Sequence, residues 1–160
     1  MQTPLLEMLT PAHINASLTS IDKESVIREL LALVTTNHQI TQPDKLLEAI
    51  FQREHIMSTG VGNGVAIPHC KSPFSPEFSV TMGIHRNGVD FDAVDNEPVN
   101  IIFLVTGPEN DPTGHIRLLS RISRIMSRED ARQHLIEQKD SESIFRFLQV
   151  EERRIFEAKK

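Results

Sequence analysis

The segment 58–70, which reads STGVGNGVAIPHC, constrains this chain most. Its three glycines and its asparagine form a turn that tolerates positive φ. Residues 65–67 predict a short buried strand, and Pro68 holds the preceding residue extended. Because proline cannot donate to a sheet ladder, we expect the strand to end there, with His69 just past it. Ligands gather at strand ends in open α/β sheets, so His69 is the first candidate functional residue.

Composition indicates a soluble globular domain. A chain of 160 residues can bury a substantial core without disulfides, and the single cysteine, Cys70, suits a reducing cytoplasm. The N-terminal stretch has no basic region followed by a long apolar run, so we expect no signal peptide and no membrane insertion. The net charge of −5 argues against a general nucleic-acid binder.

Two amphipathic helices are predicted before the segment 58–70. Ser20 or Asp22 can cap the first helix, and Pro43 suits the first turn of the second. Residues 13–18 alternate weakly, which predicts an edge strand. The apolar residues with the 3.6-residue helical period are Val26, Ile27, Leu30, Leu31 and Val34, then Leu46, Leu47, Ile50 and Phe51.

Arg53 lies beside the apolar stripe of the second helix, and two interpretations remain open. Its stem can cover apolar surface while the guanidinium reaches water. Alternatively, the helix end aims it at the glycine-rich segment, where a guanidinium can hold phosphate oxygens in a bidentate fork. Position alone favours the first interpretation. Glu54 is a candidate for orienting Arg53.

Several strands are predicted after His69. Residues 78–84 predict a strand, 86–88 a turn and 89–91 a return strand, which together form a hairpin. A second turn is expected at 95–98. Residues 99–105 are nearly continuous in apolar side chains, which is typical of a central strand buried on both faces. With helices before and after, the pattern predicts an α/β fold: a mixed central sheet flanked by helices on both sides.

His115 follows the central strand, near the start of a third helix. Thr113 suits the N-cap, which places His115 at about the second helical position. First-turn residues lie among free N–H groups and the positive end of the helix dipole, where anions bind. A histidine that lies at the start of a helix and has no functional role is an equally good interpretation of a single sequence. The expected buried stripe is Ile116, Leu119, Ile122, Ile125 and Met126.

The C-terminal third predicts three further features. Ser127 and Asp130 resemble a capping pair for a fourth helix, and Asp140 or Ser141 can cap the last one. Residues 151–160 are charged, so we expect them to fray. A basic stripe is also predicted along the third helix. Such a stripe is typical of a solvated face and can also meet an acidic partner. It consists of Arg117, Arg121, Arg124 and Arg128.

The string STGVGNGVAIPH resembles the phosphohistidine signature of enzyme IIA domains of the bacterial sugar phosphotransferase system, in the fructose–mannitol class. It is especially similar to the standalone nitrogen-regulatory branch. The resemblance extends from about Pro11 to Leu148, so we expect one domain over 1–160 with its core at 11–148. Cys70 departs from the family, which usually has glycine there.

The resemblance implies a histidine phosphocarrier, a phosphotransferase that accepts a phosphoryl group on His69 from an HPr-like donor. The family has its active-site arginine sixteen residues before the phosphohistidine, which is Arg53 here, and a second active-site histidine after the central strand, which is His115. A neutral imidazole is a competent nucleophile near pH 7, and a nearby cation disfavours its protonation. No cofactor or metal is implied. The loop residues expected to bind phosphate are Thr59, Asn63 and Gly64.

Alternatives to a regulatory phosphocarrier remain. A sugar-specific IIA component would pass the phosphate to a IIB partner instead of changing the binding of a regulatory target. A non-catalytic sensory module could share the fold. A hydrolase using Cys70 with His69 is disfavoured because neighbouring residues of an extended segment point to opposite sides. A metal site is disfavoured because the seven histidines include no metal-ligand spacing.

Overall fold

The computed structural model describes residues 9–37, 40, 42–56 and 58–156, without the side chains of 35–37. They form a mixed six-stranded sheet in the order β1-β5-β6-β3-β2, with β4 also paired to β6. The strands are β1 Ile14–Asn15, β2 Gly60–Gly62, β3 Val65–Ala66, β4 His69–Lys71, β5 Ser79–Val89 and β6 Val99–Gly107. The helices are α1 Lys23–Asn37, α2 Pro43–Ile56, α3 Pro112–Met126, α4 Glu129–Glu137 and α5 Ser141–Phe156.

Strand β6 is the centre of the sheet, antiparallel to β5 and parallel to β3 and β4. Its side chains alternate between two apolar clusters. Ile101 and Phe103 pack with buried residues of α3, α4 and α5 on one face. Ile102 and Leu104 pack with α1 and α2 on the other. The predicted single-domain α/β architecture, with helices on both sides of a mixed sheet, is confirmed.

Both early helices are confirmed. All five apolar residues predicted for α1 are buried, and Asp22 caps this helix by accepting a 2.8 Å hydrogen bond from the backbone N–H of Ser25. Pro43 is the first residue of α2. The predicted edge strand is β1, which pairs in parallel with β5. No helix among the described residues is long and apolar enough to span a membrane.

The hairpin predicted at 78–91 is wrong, because β5 continues through residues 86–88. The ladder with β6 shifts register between Ile84 and Val89, and Gly88 takes a φ of +82°. The side-chain amide of Asn100 donates to the carbonyls of His85 at 2.9 Å and Arg86 at 3.3 Å. The apparent turn is therefore a bulge with satisfied carbonyls. The chain reverses between β5 and β6, where the backbone N–H of Asn96 donates to the carbonyl of Ala93 at 2.9 Å.

Helix α3 starts earlier than predicted. Asp111, not Thr113, is the N-cap: it accepts a 2.9 Å bond from the N–H of Gly114, and Pro112 is the first helical residue. His115 is thus the fourth residue of the helix. Ile116 was wrongly placed in the buried stripe and is 64% exposed. A strict three-residue repeat drifts around a helix, whereas the buried positions step by three and four: His115, Leu118, Ile122, Ile125.

The basic stripe is not one solvated face. Arg121 is 8% exposed, with its guanidinium carbon 4.0 Å from the ring centroid of Phe156 and a nitrogen 3.8 Å from the carboxylate of Glu152. Arg128 pairs with Glu151 at 3.2 Å. These contacts hold α5 against α3 and the α3–α4 connection, so the fraying predicted from residue 151 is wrong up to residue 156. Residues 157–160 lie outside the described residues.

The capping pair predicted at the start of α4 is also wrong. The hydroxyl of Ser127 donates to the carbonyl of Arg124 at 2.7 Å, and Asp130 pairs with Arg128. Asp140 is confirmed as the cap of α5, since it accepts a 2.8 Å bond from the N–H of Ser143.

Candidate functional site

His69 opens strand β4, so it lies within the sheet and not past its end. Strand β3 stops before Pro68 as predicted, but the carbonyl of Pro68 accepts a 2.9 Å bond from the N–H of Val105 and pairing resumes. His69 is then the partner of Val105 in the parallel ladder with β6. The backbone of His69 is therefore constrained on both sides. The ring of Pro68 restricts it on the N-terminal side, and the pairing of β4 with β6 restricts it on the C-terminal side.

Cys70 points away from His69, as the alternation predicts. It packs into the apolar cluster formed with α1 and α2, so the ring of His69 faces the side of α3. Burial raises the pKa of the Cys70 thiol to about 12. Because a thiolate is the reactive form of cysteine, Cys70 behaves as a core residue.

The His69 ring has a defined tautomer. Its Nδ1 lies 2.7 Å from the carbonyl oxygen of Ile67. A carbonyl can only accept, so Nδ1 donates, and in the neutral ring the lone pair is on Nε2. The half-buried imidazole therefore presents Nε2 as its nucleophilic atom.

The pKa of His69 is lower than the usual 6.5. Burial is the main cause, because it penalises the charged ring. The hydrogen bond to Ile67 and the charge of Glu54 raise the pKa, whereas Arg53 and His115 lower it further. The net shift keeps His69 neutral, and hence nucleophilic, at neutral pH.

His115 is fixed beside the end of β6. Its Nε2 donates to the carbonyl of Pro108 at 3.0 Å, and its ring contacts that of Phe78 edge to face, with the centroids 4.8 Å apart. A Cβ added to Gly107 would lie 2.9 Å from Cε1 of His115. The ring is 2% exposed, and its Nδ1 has no hydrogen-bond partner among the described residues. In the neutral ring Nδ1 carries a lone pair, so it can donate to an anion only after binding a proton.

Arg53 lies in the last turn of α2 and acts electrostatically on His69, lowering its pKa. Glu54, which we expect to orient Arg53, contacts Lys23 and Thr59. Its carboxylate lies 2.7 Å from Nζ of Lys23 and accepts hydrogen bonds from the N–H, at 3.3 Å, and the hydroxyl of Thr59. Sequence reasoning did not single out Lys23, because nothing local links it to a carboxylate 31 positions away (54 − 23).

The three predicted phosphate-binding residues are not gathered at His69. Thr59 is near, but both of its donors are directed at Glu54. Asn63 and Gly64 form the turn between β2 and β3, with φ of +58° and +77°. A turn of this kind needs positive φ at both positions, and Asn-Gly is the pair that adopts it most readily. The conformation alone therefore accounts for these two residues.

Sheet register separates that turn from His69. Val65 pairs with Ile101 and His69 with Val105, a difference of four positions (105 − 101) along β6. At about 3.3 Å per residue this is roughly 13 Å. The N–H of Asn63 instead donates to Asp95 at 3.1 Å.

Comparison with known proteins agrees with this fold. The family model "Phosphoenolpyruvate-dependent sugar phosphotransferase system, EIIA 2" matches residues 7–150. The chain therefore belongs to the enzyme IIA type 2 family of that system.

Relatives include both sugar-specific and regulatory proteins. The chain is 31% identical over 140 residues to the fructose-specific EIIABC component of Bacillus subtilis; the match covers 88% of this chain but only 22% of that longer protein. It is 30% identical over 145 residues to a nitrogen regulatory protein of Pseudomonas aeruginosa, covering 90% and 94% of the two chains. Among solved structures, the nitrogen regulatory protein IIA-Ntr of Neisseria meningitidis superposes with a TM-score of 0.83 at 29% identity, covering 90% of this chain and 98% of that one.

Proposed function

We propose that this chain is a histidine phosphocarrier, with Nε2 of His69 as the phosphoacceptor and an HPr-like protein as the donor. The observation that carries the proposal is the 2.7 Å hydrogen bond from Nδ1 of His69 to the carbonyl of Ile67. It leaves the Nε2 lone pair available, and the lowered pKa of the ring keeps that lone pair unprotonated.

The transfer needs no further reactant. The Nε2 lone pair forms a new N–P bond, the N–P bond of the donor phosphohistidine breaks, and its electron pair returns to the donor imidazole. The proton on Nδ1 stays on the ring, held by Ile67. Phospho-His69 then keeps a protonated ring, which makes it a good leaving group for the next transfer.

Two further groups support the transfer. Phosphoryl transfer depends mainly on positioning and on stabilising charge on the equatorial oxygens. Arg53 supplies a positive charge near His69. His115 supplies a donor once its Nδ1 binds a proton. Thr59 acts by fixing the loop, and Asn63 and Gly64 have no role in this mechanism.

The test is transfer from phosphorylated HPr to the purified chain, followed by mapping of an acid-labile phosphate. We expect the label on His69, and its loss in His69→Ala with an unchanged circular dichroism spectrum. His134→Ala removes an exposed helical histidine stacked on Phe147 and is the matched control. Undiminished labelling of His69→Ala would contradict the proposal.

The cellular role that we propose is regulatory: phosphorylation of His69 changes which protein the chain binds. Similarity to nitrogen regulatory proteins over nine-tenths of the chain supports this role. Phosphorylation adds a charge of about −1.5 to −2, enough to disfavour an acidic or apolar partner. Ile116, exposed next to His115, offers such a partner an apolar contact.

A sugar-specific IIA component that passes phosphate to a IIB partner is the second candidate, supported by the fructose-specific relative. Pull-downs that compare wild type with a His69→Asp mimic, together with sugar uptake by a deletion strain, separate the two roles. The regulatory role predicts partner binding that changes with the mimic. It is excluded if binding is indifferent to the mimic and uptake of one sugar depends on a phosphorylatable chain.

A further inference from the structure

A buried ion pair lies behind the His69 strand, and the proposed mechanism does not use it. Glu54 is only 8% exposed, yet its carboxylate faces three donors: Nζ of Lys23, the backbone N–H of Thr59 and the Thr59 hydroxyl. Lys23 also donates to the carbonyl of Phe91 at 3.3 Å. The pair thus joins α1, α2 and the segment before β2. A buried charge with this many partners holds its neighbours firmly, because an unsatisfied one is costly.

Two further hydrogen bonds connect this pair to the His69 ring. The carbonyl of Thr59 accepts a 3.0 Å bond from the N–H of Ile67. The carbonyl of Ile67 in turn accepts the 2.7 Å bond from Nδ1 of His69. Thr59 and Ile67 are both buried, so water has little access to this path.

We propose that Glu54, held by Lys23, is a positioning residue for His69: it fixes Thr59, and through Thr59 and Ile67 it sets the orientation and tautomer of the imidazole. The expected effect of Glu54 on the rate of phosphoryl transfer rests on the proposed phosphocarrier function. The expected effect on the orientation and tautomer of the His69 ring does not.

Electrostatics gives Glu54 a second effect on the same ring. Its negative charge raises the pKa of His69, opposite to Arg53 and His115. Lys23 compensates part of that charge at 2.7 Å. A cavity of about 290 Å³ opens beside the pair, and its other titratable residues are Glu24, His55 and Asp92. Removing the charge of Glu54 should therefore lower the pKa of His69, and removing that of Lys23 should raise it.

The experiment compares full-length variants by NMR of the ¹⁵N-labelled His69 ring, which reports the tautomer and the pKa, and by rates of phosphoryl transfer. Glu54→Ala removes the clamp, whereas Glu54→Gln keeps an acceptor for Thr59 and removes the charge. Lys23→Met removes the compensating cation. Glu151→Gln is the matched control: it is 6% exposed, pairs with Arg128 and Arg154, and lies on α5 across the sheet.

We expect Glu54→Ala to mix the two tautomers of His69 and to slow transfer about 10- to 100-fold, the range for a small misplacement of a reacting group. Glu54→Gln should keep the tautomer, recover most of the rate and lower the His69 pKa. Lys23→Met should raise that pKa, and Glu151→Gln should change none of these quantities.

Two results would overturn the proposal. One is a folded Glu54→Ala with the wild-type tautomer and rate. The second result applies if Glu54→Ala does not fold: it is a pKa of His69 that stays unchanged in both Glu54→Gln and Lys23→Met. A wild-type chain that accepts no phosphate would contradict the proposed function instead, and the NMR comparison would still decide the positioning role.

Discussion

Nδ1 of His69 donates to the carbonyl of Ile67, two residues earlier, across the break that Pro68 makes in the strand. The break matters because in a regular strand the carbonyl of residue i−2 belongs to the ladder. Here the interruption between β3 and β4 frees it to accept from a side chain. The sequence Ile-Pro-His therefore supplies the carbonyl acceptor that selects the tautomer of its own histidine, and the proposed role of Glu54 is to hold that acceptor in place through Thr59.

The first prediction concerns pH. The pKa of His69 in the folded chain is lower than the unfolded value of about 6.5, so below that pH the unfolded chain binds more protons. The free energy of unfolding should fall as the pH drops from about 6.5 through the folded pKa, and should not respond to His69 above pH 7. Urea titrations at several pH values measure this slope. In His69→Gln the slope should be smaller, and an identical slope would contradict the assignment.

Much of the architecture was predictable from sequence because it depends on local periodicity. The apolar stripe of α1 and the continuous apolar run of β6 are buried as their patterns predict, as are Leu46 and Ile50 of the α2 stripe, whereas Leu47 and Phe51 are half-buried. Several of the errors arose where a distant residue decides. Residues 86–88 have the composition of a turn, but the side chain of Asn100 satisfies the bulge carbonyls and lets β5 continue.

The candidate site shows the same limit. Spacing and family resemblance single out His69, Arg53 and His115, and in the structure both Arg53 and His115 act electrostatically on His69. A glycine-rich loop next to a histidine fits either a phosphate-binding loop or a tight turn that needs positive φ. The sheet register places the turn at Asn63 and Gly64 away from His69 and therefore favours the second explanation. The fraying predicted at Glu151 and Glu152 failed because their cationic partners lie on α3, on α5 itself and between α3 and α4.

The second prediction concerns Arg53. Replacing it with alanine removes a cation that stabilises the transferring phosphoryl group, so we expect transfer to slow by about 10²–10³-fold, by analogy with the loss of one preorganised donor. Arg53→Lys keeps the charge but not the planar fork and should lose less.

The control for Arg53 is Arg28→Ala on α1, an exposed arginine whose guanidinium carbon lies 5.3 Å from the Phe51 ring centroid. Single-turnover transfer from phosphorylated HPr measures all three variants. A wild-type rate in Arg53→Ala would mean that this arginine only covers apolar surface.

The third prediction concerns His115. With Nε2 donating to Pro108, the ring must bind a proton at Nδ1 before it can donate to a phosphoryl oxygen. His115→Ala should therefore slow transfer and shorten the lifetime of phospho-His69. His115→Asn keeps one donor and should preserve part of the lifetime. Hydrolysis of the isolated phosphorylated protein, followed by loss of label, gives the lifetimes; equal values in all three proteins would exclude contact with the phosphate.

The last prediction concerns Gly107, at the end of β6. A Cβ there would lie 2.5 Å from the Phe78 ring and 2.9 Å from the His115 ring, so both rings must move in Gly107→Ala. Overpacking of this kind costs about 1–3 kcal/mol of stability. Moving His115 should also slow phosphoryl transfer. Gly83→Ala is the matched control, because its Cβ would lie 2.5 Å from the Leu18 side chain, in a contact that includes none of the candidate site residues. Both variants should lower the melting temperature, but only Gly107→Ala should lower the transfer rate under conditions where both are folded. Equal transfer rates in the two variants would show that the position of His115 is not what Gly107 protects.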